Sequence, residues 1–198
     1  ALGGIEFLSE TKPAMVLNKL PLLTKGTIRE NWQDLKSLDL MQRKWYYNTS
    51  GGSTGEPVKL IQDQRYFLHA QSVKILFDSW TGHSMCMPKV CLWGSERDLL
   101  VGKESARTRV MRCLRNEFWL NAFRMTEHDM IEHVQTINRV RPVQILAYVD
   151  CIYELSRFIE RERLNIYSPK SIMTSAGTLY PHMRETIERV FKAKVFKR

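Results

Sequence analysis

The sequence predicts an α/β fold in which a mostly parallel sheet is flanked by helices. After residue 85, short apolar segments alternate with amphipathic ones in the order strand, helices, strand, helix, strand, helix, strand. Such alternation favours parallel strands joined by helical crossovers. The hydrophobic share is 43% of 198 residues, which is enough to bury a core and argues against a disordered chain.

The first predicted elements surround a glycine-rich loop. Thr27 is predicted to cap a short helix. Residues 43–47 are rich in aromatic side chains and residues 57–61 alternate in polarity, so each segment is predicted to form a strand. The polar segment 48–56 between them is predicted to be a loop.

Helical and strand patterns cover most of the remaining chain. A helix is predicted over residues 63–80, where apolar residues recur at steps of four, three and four. Its apolar stripe consists of Tyr66, Ala70, Val73 and Phe77. The later strands are predicted at 89–93, 143–148, 171–174 and 195–196. Later helices are predicted over residues 103–117, with Phe118 on the apolar face, and over residues 128–138. A further helix is predicted to end at about residue 163 with Asp150 as its cap, and the last one to begin at Pro181.

Charge and hydropathy limit the classes of partner. The net charge of +9 favours anionic partners such as nucleotides, acyl carriers, nucleic acid or acidic lipid, and an ordinary basic surface is the simpler interpretation. No apolar run approaches the ~20 residues that span a bilayer. Residues 1–10 lack a basic start followed by a long apolar stretch, so no signal peptide is predicted.

The four cysteines form no CxxC pair and predict reduced thiols in a cytosolic protein. His83, Cys86 and Cys91 could be drawn as three zinc ligands. Their spacing matches no common zinc site and a fourth ligand is missing, so no metal site is predicted. Cys91 lies in an apolar strand segment, where cysteine behaves as a small hydrophobic residue.

The segment Thr49–Pro57 carries the strongest chemical signal. Its three glycines allow the backbone to approach a ligand closely, and successive backbone N–H groups can form a concave anion site. Hydroxyl groups add donors for phosphate oxygens. The alternative is a flexible hairpin turn, which needs no such run of hydroxyls. A Walker loop requires a Gly-Lys-Ser/Thr end and a following helix, whereas Gly55 precedes Glu56, Pro57 and a strand pattern.

This loop resembles the phosphate-binding motif of the adenylate-forming superfamily, which includes acyl-CoA synthetases. Further segments are similar to the phenylacetate–CoA ligase group and its CapK-like branch, which is tied to capsular polysaccharide synthesis. These segments are Leu20–Lys25, Leu92–Asp98, Asn121–Met125, Arg141 and Pro142 with Tyr148, and Thr174–Gly177. The resemblance runs from about residue 20 to the last residue.

The resemblance implies an ATP-dependent ligase that activates a carboxylic acid with Mg²⁺ and transfers it to CoA or another acceptor in the cytoplasm. The residues implied to bind the ATP phosphates are Thr49, Ser50, Gly51, Gly52, Ser53, Thr54 and Gly55. Ser175, Ala176 and Gly177 are implied to line the adenine pocket, although many members carry glutamate at the position of Gly177.

The resemblance also implies that the chain is only part of a catalytic unit. Residues 1–198 correspond to a partial N-terminal AMP-binding domain, without the C-terminal domain. The catalytic residues are expected beyond Arg198, so the chain alone is expected to form no adenylate.

Three further residues are weighed as candidate contacts. Glu96 and Arg97 follow a predicted strand, where they fit either a substrate contact or a structural ion pair. His83 lies in a predicted loop, where it could face substrate. A nucleotide- or nucleic-acid-binding module that keeps the fold without catalysis is the alternative function; its binding to duplex DNA would fall steeply with salt.

Overall fold

The computed structural model describes residues 21–50, 57–94 and 106–198, with backbone only for residues 106 and 107. The chain divides into two compact units, Ala1–Ala70 and Gln71–Arg198. The helices are α1 (Lys25–Glu30), α2 (Gln64–Trp80), α3 (Ala106–Leu114), α4 (Glu127–Val140), α5 (Val149–Arg161) and α6 (Pro181–Phe191). The strands are β1 (Trp45–Thr49), β2 (Lys59–Asp63), β3 (Lys89–Trp93), β4 (Glu117–Asn121), β5 (Gln144–Tyr148), β6 (Ser171–Ser175) and β7 (Lys194–Lys197).

The first unit contains an antiparallel hairpin of β1 and β2, in register from Trp45 opposite Asp63 to Thr49 opposite Lys59. A single 3₁₀ turn at Leu40–Gln42 precedes the hairpin. The Arg43 guanidinium donates to Asp39 and to Asp63, at 2.6 and 2.8 Å. The ion pair with Asp63 connects Arg43, two residues before β1, with the last residue of β2.

The cap of α1 was predicted at the wrong threonine. Thr24 is the N-cap, and its Oγ1 accepts a hydrogen bond from the Thr27 N–H at 3.1 Å. Both residues can cap a helix by type, but only Thr24 has the extended backbone that a cap requires. The helix therefore begins at Lys25, and Thr27 lies in its first turn.

The second unit contains a five-stranded, fully parallel sheet in the order β4-β3-β5-β6-β7. The predicted parallel α/β architecture is therefore confirmed. Strand β4 was not predicted, because Phe118 continues the helical spacing of α3. The helix ends at Leu114, and Asn116 takes a left-handed φ of 56° that turns the chain into the strand.

The core of the second unit lies on one face of this sheet. Val90, Ile145 and Ile172 have no exposed surface and occupy neighbouring positions on β3, β5 and β6. The helices covering them contribute Val134, Ile137, Ile152, Leu155, Ile159, Ile187 and Phe191. Strand residues alternate between faces, so the side chains of Cys91 and Met173 lie on the opposite face.

The N-termini of α4 and α5 differ in how they are capped. Thr126 and Asp129 form a capping box at α4, with the Asp129 N–H donating to Thr126 Oγ1 at 3.3 Å. The prediction that Asp150 caps the next helix is wrong, because Tyr148 is the N-cap of α5. Asp150 is the second residue of this helix, in its first turn, where its negative charge interacts favourably with the positive end of the helix dipole.

The long helix α2 buries none of its residues. The predicted helix forms, but two residues of its predicted apolar stripe, Tyr66 and Val73, are 55% and 46% exposed. None of the described helices combines the length and apolar character needed to cross a membrane.

Candidate functional site

The hairpin fixes both ends of the glycine- and hydroxyl-rich segment. The Ser50 N–H donates to the Val58 carbonyl at 2.9 Å, and the Val58 N–H donates to Ser50 Oγ at 2.9 Å. Val58 is buried, whereas Thr49 is exposed at the end of β1. Two reciprocal hydrogen bonds therefore hold residues 50 and 58 against each other.

The element after this segment is a strand, which agrees with the exclusion of a Walker loop. Strand β2 begins at Lys59, two residues beyond Pro57. The candidate phosphate-binding residues Gly51, Gly52, Ser53, Thr54 and Gly55 lie outside the described residues, as do Glu96 and Arg97. Their roles stay predictions.

The candidate adenine-pocket residues lie at the carboxyl edge of the parallel sheet. Ser175 is the last residue of β6 and lies opposite Tyr148 at the end of β5. Ala176 follows with a left-handed φ of 52°, and both Ala176 and Gly177 are exposed. Ligands of open α/β sheets bind outside the carboxyl ends of the strands, so this edge is the expected position for a ligand site.

Gly177 lies close to the start of α5. A Cβ at this position would stand 3.2 Å from Val149 Cβ and 3.4 Å from Val149 Cγ2. Val149 has no exposed surface, so it has little room to move. This crowding disfavours any residue with a Cβ at position 177.

The sequence prediction missed an aromatic pair at the same edge. Trp93 and Tyr148 end β3 and β5, and their ring centroids are 4.1 Å apart. Tyr148 Oη donates to the Gly94 carbonyl at 3.3 Å. The sequence signal for this pair was that each residue ends an apolar strand segment. Recognising the pair also required knowing that β3 and β5 are neighbours in the sheet.

His83 does not present its ring to solvent. Its Nε2 hydrogen bonds to the Met87 carbonyl at 3.1 Å, and its Nδ1 lies 3.9 Å from Asp78 Oδ2. Burial is the main reason that the pKa of His83 is lowered, although Asp78 acts in the opposite direction. A carbonyl can only accept, so Nε2 carries the proton and the ring is held in one tautomer.

Asp78 also pairs with Lys89 at the start of β3. Lys89 Nζ donates to both carboxylate oxygens of Asp78, at 2.8 and 3.0 Å, and its side chain is 8% exposed. Cys91, two residues along the strand, is buried, and burial raises the pKa of its thiol to about 12. A thiol with so high a pKa is a poor nucleophile.

The described residues contain no cluster of three or more histidine, cysteine, aspartate or glutamate side chains suited to a metal ion.

A parallel sheet of this order, flanked by helices and preceded by a hairpin with a hydroxyl-rich loop, is the fold of the N-terminal domain of adenylate-forming enzymes. The chain is similar to Protein CapK of Staphylococcus aureus, with 23% identity over 180 residues, which cover 90% of this chain and 39% of CapK. No protein-family model matches the chain.

Solved structures support the same fold. A 2-hydroxyisobutyryl-CoA ligase in complex with 2-HIB-AMP and CoA superposes with a TM-score of 0.57 at 16% identity, over 89% of this chain and 42% of the ligase. The amide bond synthetase McbA from Marinactinospora thermotolerans gives a TM-score of 0.51 at 11% identity, over 76% of this chain and 28% of the synthetase. The chain thus spans about two fifths of the length of CapK and of the ligase.

Proposed function

We propose that this chain is the N-terminal, phosphate-binding part of an ATP-dependent ligase that activates a carboxylic acid. The complete reaction would form an acyl-adenylate and pyrophosphate, and then transfer the acyl group to CoA or another acceptor. The similarity to CapK over 90% of the chain and the shared fold of the CoA ligase support this proposal.

One observation carries the proposal. The reciprocal hydrogen bonds between Ser50 and Val58 close the base of a segment rich in glycine and hydroxyl groups. Pairing of Ser50 with Val58 fixes the two ends of this segment, so less chain entropy is lost when a ligand binds. Three hydroxyls and three glycines suit the β- and γ-phosphates of ATP.

The exposed backbone at Ser175–Gly177 fits an adenine base. Ala176 and Gly177 are exposed beyond the carboxyl edge of the sheet, where ligands of open α/β sheets bind. The described residues offer no metal cluster, so Mg²⁺ enters the proposal bound to the nucleotide. Bound ATP supplies the adenylyl group: the carboxylate would form a bond to the α-phosphorus, and pyrophosphate would leave. This chain would orient the phosphates and stabilise their charge.

The finer parts of the proposal follow from the resemblance. We extend it to CoA as the acyl acceptor, to the cytoplasm, where ATP and CoA occur, and to capsular polysaccharide biosynthesis through the similarity to CapK. The acid substrate is defined only as a carboxylic acid.

Calorimetric titration with ATP and Mg²⁺ tests the binding step. We expect the wild-type chain to bind ATP and Thr54→Ala to bind at least about tenfold more weakly, because one charge-assisted hydrogen bond is worth about 1.5–3 kcal/mol. Ser168→Ala removes a hydroxyl from an exposed loop residue in the second unit and serves as the control. Equal affinities in all three proteins, or no binding at all, would contradict the proposal.

Pyrophosphate release across a panel of carboxylic acids tests the chemical step. We expect no turnover by the 198-residue chain alone, because the resemblance puts the catalytic residues beyond Arg198. Robust turnover by this chain would overturn that assignment of the catalytic residues.

A further inference from the structure

A second concave site lies within the second unit, on the sheet face opposite the core. A cavity of about 490 Å³ is bounded by residues 71–79 of α2 on one side and by β3, β4, β5 and β6 on the other. Cavities of roughly 300–1,000 Å³ are typical of sites for small organic ligands.

The floor of this cavity is apolar. Cys91 and Met173 are 2% and 4% exposed, and Leu146 lies between them on β5. The rings of Trp93 and Trp119 extend the floor along β3 and β4. An apolar ligand that covers these side chains would be stabilised by about 25 cal/mol for each Å² of apolar surface removed from water.

The cavity also carries an excess of positive charge. The basic side chains of Lys74, Lys89, Arg115 and Arg198 line it, and its acidic side chains are Asp78 and Glu117. Lys89 already holds both oxygens of Asp78. Among the described residues, no ion pair or side-chain hydrogen bond connects Lys74, Arg115 or Arg198 with a carboxylate.

The surroundings of Lys74 disfavour its positive charge, although the residue is exposed. The pKa of Lys74 is lowered first by loss of solvent and then by the positive charges of Arg198 and Arg115. Glu117 acts in the opposite direction but does not cancel these effects. An anion bound among the three cations would offset the repulsion between them.

We propose that this cavity binds an organic anion. A carboxylate or phosphate group lies among Lys74, Arg115 and Arg198, and an apolar or aromatic body covers Cys91, Leu146 and Met173. The cavity shares no lining residue with the proposed phosphate loop, and its existence does not depend on the ligase function.

Tryptophan fluorescence gives a direct readout, because Trp93 and Trp119 line the cavity. We expect octanoate and octyl phosphate to change the emission with saturation, and octanol to bind at least fivefold more weakly because it lacks the charge. Octylammonium is expected not to bind. The tighter of the two anions identifies the preferred head group.

Matched substitutions separate this site from general detergent-like binding. Lys74→Met and Arg198→Met are each expected to weaken binding of the preferred anion at least fivefold. Arg139→Met changes an exposed arginine on α4, outside the cavity, and is expected to leave the affinity unchanged. The proposal is wrong if octanol binds as tightly as octanoate, or if both cavity variants keep the wild-type affinity.

Discussion

The two units of this chain differ sharply in how much they bury. In the described part of the first unit, residues 21–50 and 57–70, Val58 is the single buried residue. In the second unit, Val90, Ile145 and Ile172 have no exposed surface and form the centre of a continuous core. Apolar burial is the dominant favourable term in folding, so the free energy of unfolding is concentrated in the parallel sheet.

The predicted phosphate-binding residues and the predicted adenine-pocket residues belong to different units. The candidate phosphate residues belong to the first unit, whose hairpin is held by backbone pairing and by the ion pairs of Arg43. The candidate adenine residues follow β6, directly after the buried core. Segments with few buried contacts open at low free-energy cost, so we expect ligand-linked motion in the hairpin rather than in the sheet.

The largest expected effect comes from matched deletions in the two units. Ile145→Ala removes a fully buried side chain and should lower the free energy of unfolding by about 2–5 kcal/mol. Leu60→Ala removes a side chain that is 39% exposed in the hairpin and should cost below about 1 kcal/mol. Urea denaturation followed by circular dichroism measures both, and similar losses would remove the contrast between the units.

The buried ion pair should give the next largest effect. Asp78→Ala leaves Lys89 charged, with its side chain only 8% exposed, and should cost about 2 kcal/mol. That is less than the roughly 3–5 kcal/mol of a fully buried pair, because Asp78 keeps a fifth of its surface in water. The double variant with Lys89→Met should recover part of the loss. If Asp78→Ala unfolds at the wild-type urea concentration, the pair contributes nothing.

Helix caps test the same contrast with one kind of substitution. Thr126→Ala breaks the capping box of the fourteen-residue α4 and should cost about 1 kcal/mol. Thr24→Ala removes the cap of the six-residue α1, which buries no residue, and should change global stability by less than about 0.5 kcal/mol. Thermal unfolding of both variants compares them, and the reverse order of losses would contradict the comparison.

The smallest effect concerns pH. Burial lowers the pKa of His83 in the folded state, so the unfolded chain binds more protons around the ordinary histidine pKa of about 6.5. This histidine therefore costs no stability above that pH, and stability falls as the pH drops through about 6.5 towards the lowered folded pKa. His83→Gln should reduce the difference in unfolding free energy between about pH 7.5 and about pH 5.5.

His69→Gln is the control for this pH dependence, because His69 is an exposed residue of the first unit. Its substitution should leave the difference between the two pH values unchanged. A pH profile that responds equally to both substitutions would show that burial of His83 has no effect.

Much of the fold could be predicted from local patterns. Strand β3 was predicted with its observed bounds because it is a short, continuous apolar run, and α6 because Pro181 fits the first turn of a helix. Strand β4 was missed because its break from α3 depends on the left-handed Asn116, without a glycine or proline to mark it. Local spacing cannot distinguish that case from a longer helix.

The candidate site was predictable only in part. The composition of residues 49–55 indicates an anion-binding loop without any tertiary information. The contact between Trp93 and Tyr148 depends on the order of strands in the sheet, and the crowding of Gly177 by Val149 depends on packing. The cationic cavity combines side chains from α2 and from residue 198, which are distant in sequence.

Amide chemical shifts of the isotope-labelled chain test the central claim most directly. The hairpin should bind phosphate groups through the backbone of its loop, so tripolyphosphate should shift the amide signals of Gly51, Gly52 and Gly55 with saturation. AMP should shift the signals of Ala176 and Gly177. Loop signals that stay unchanged while tripolyphosphate shifts amides elsewhere in the chain would contradict the account.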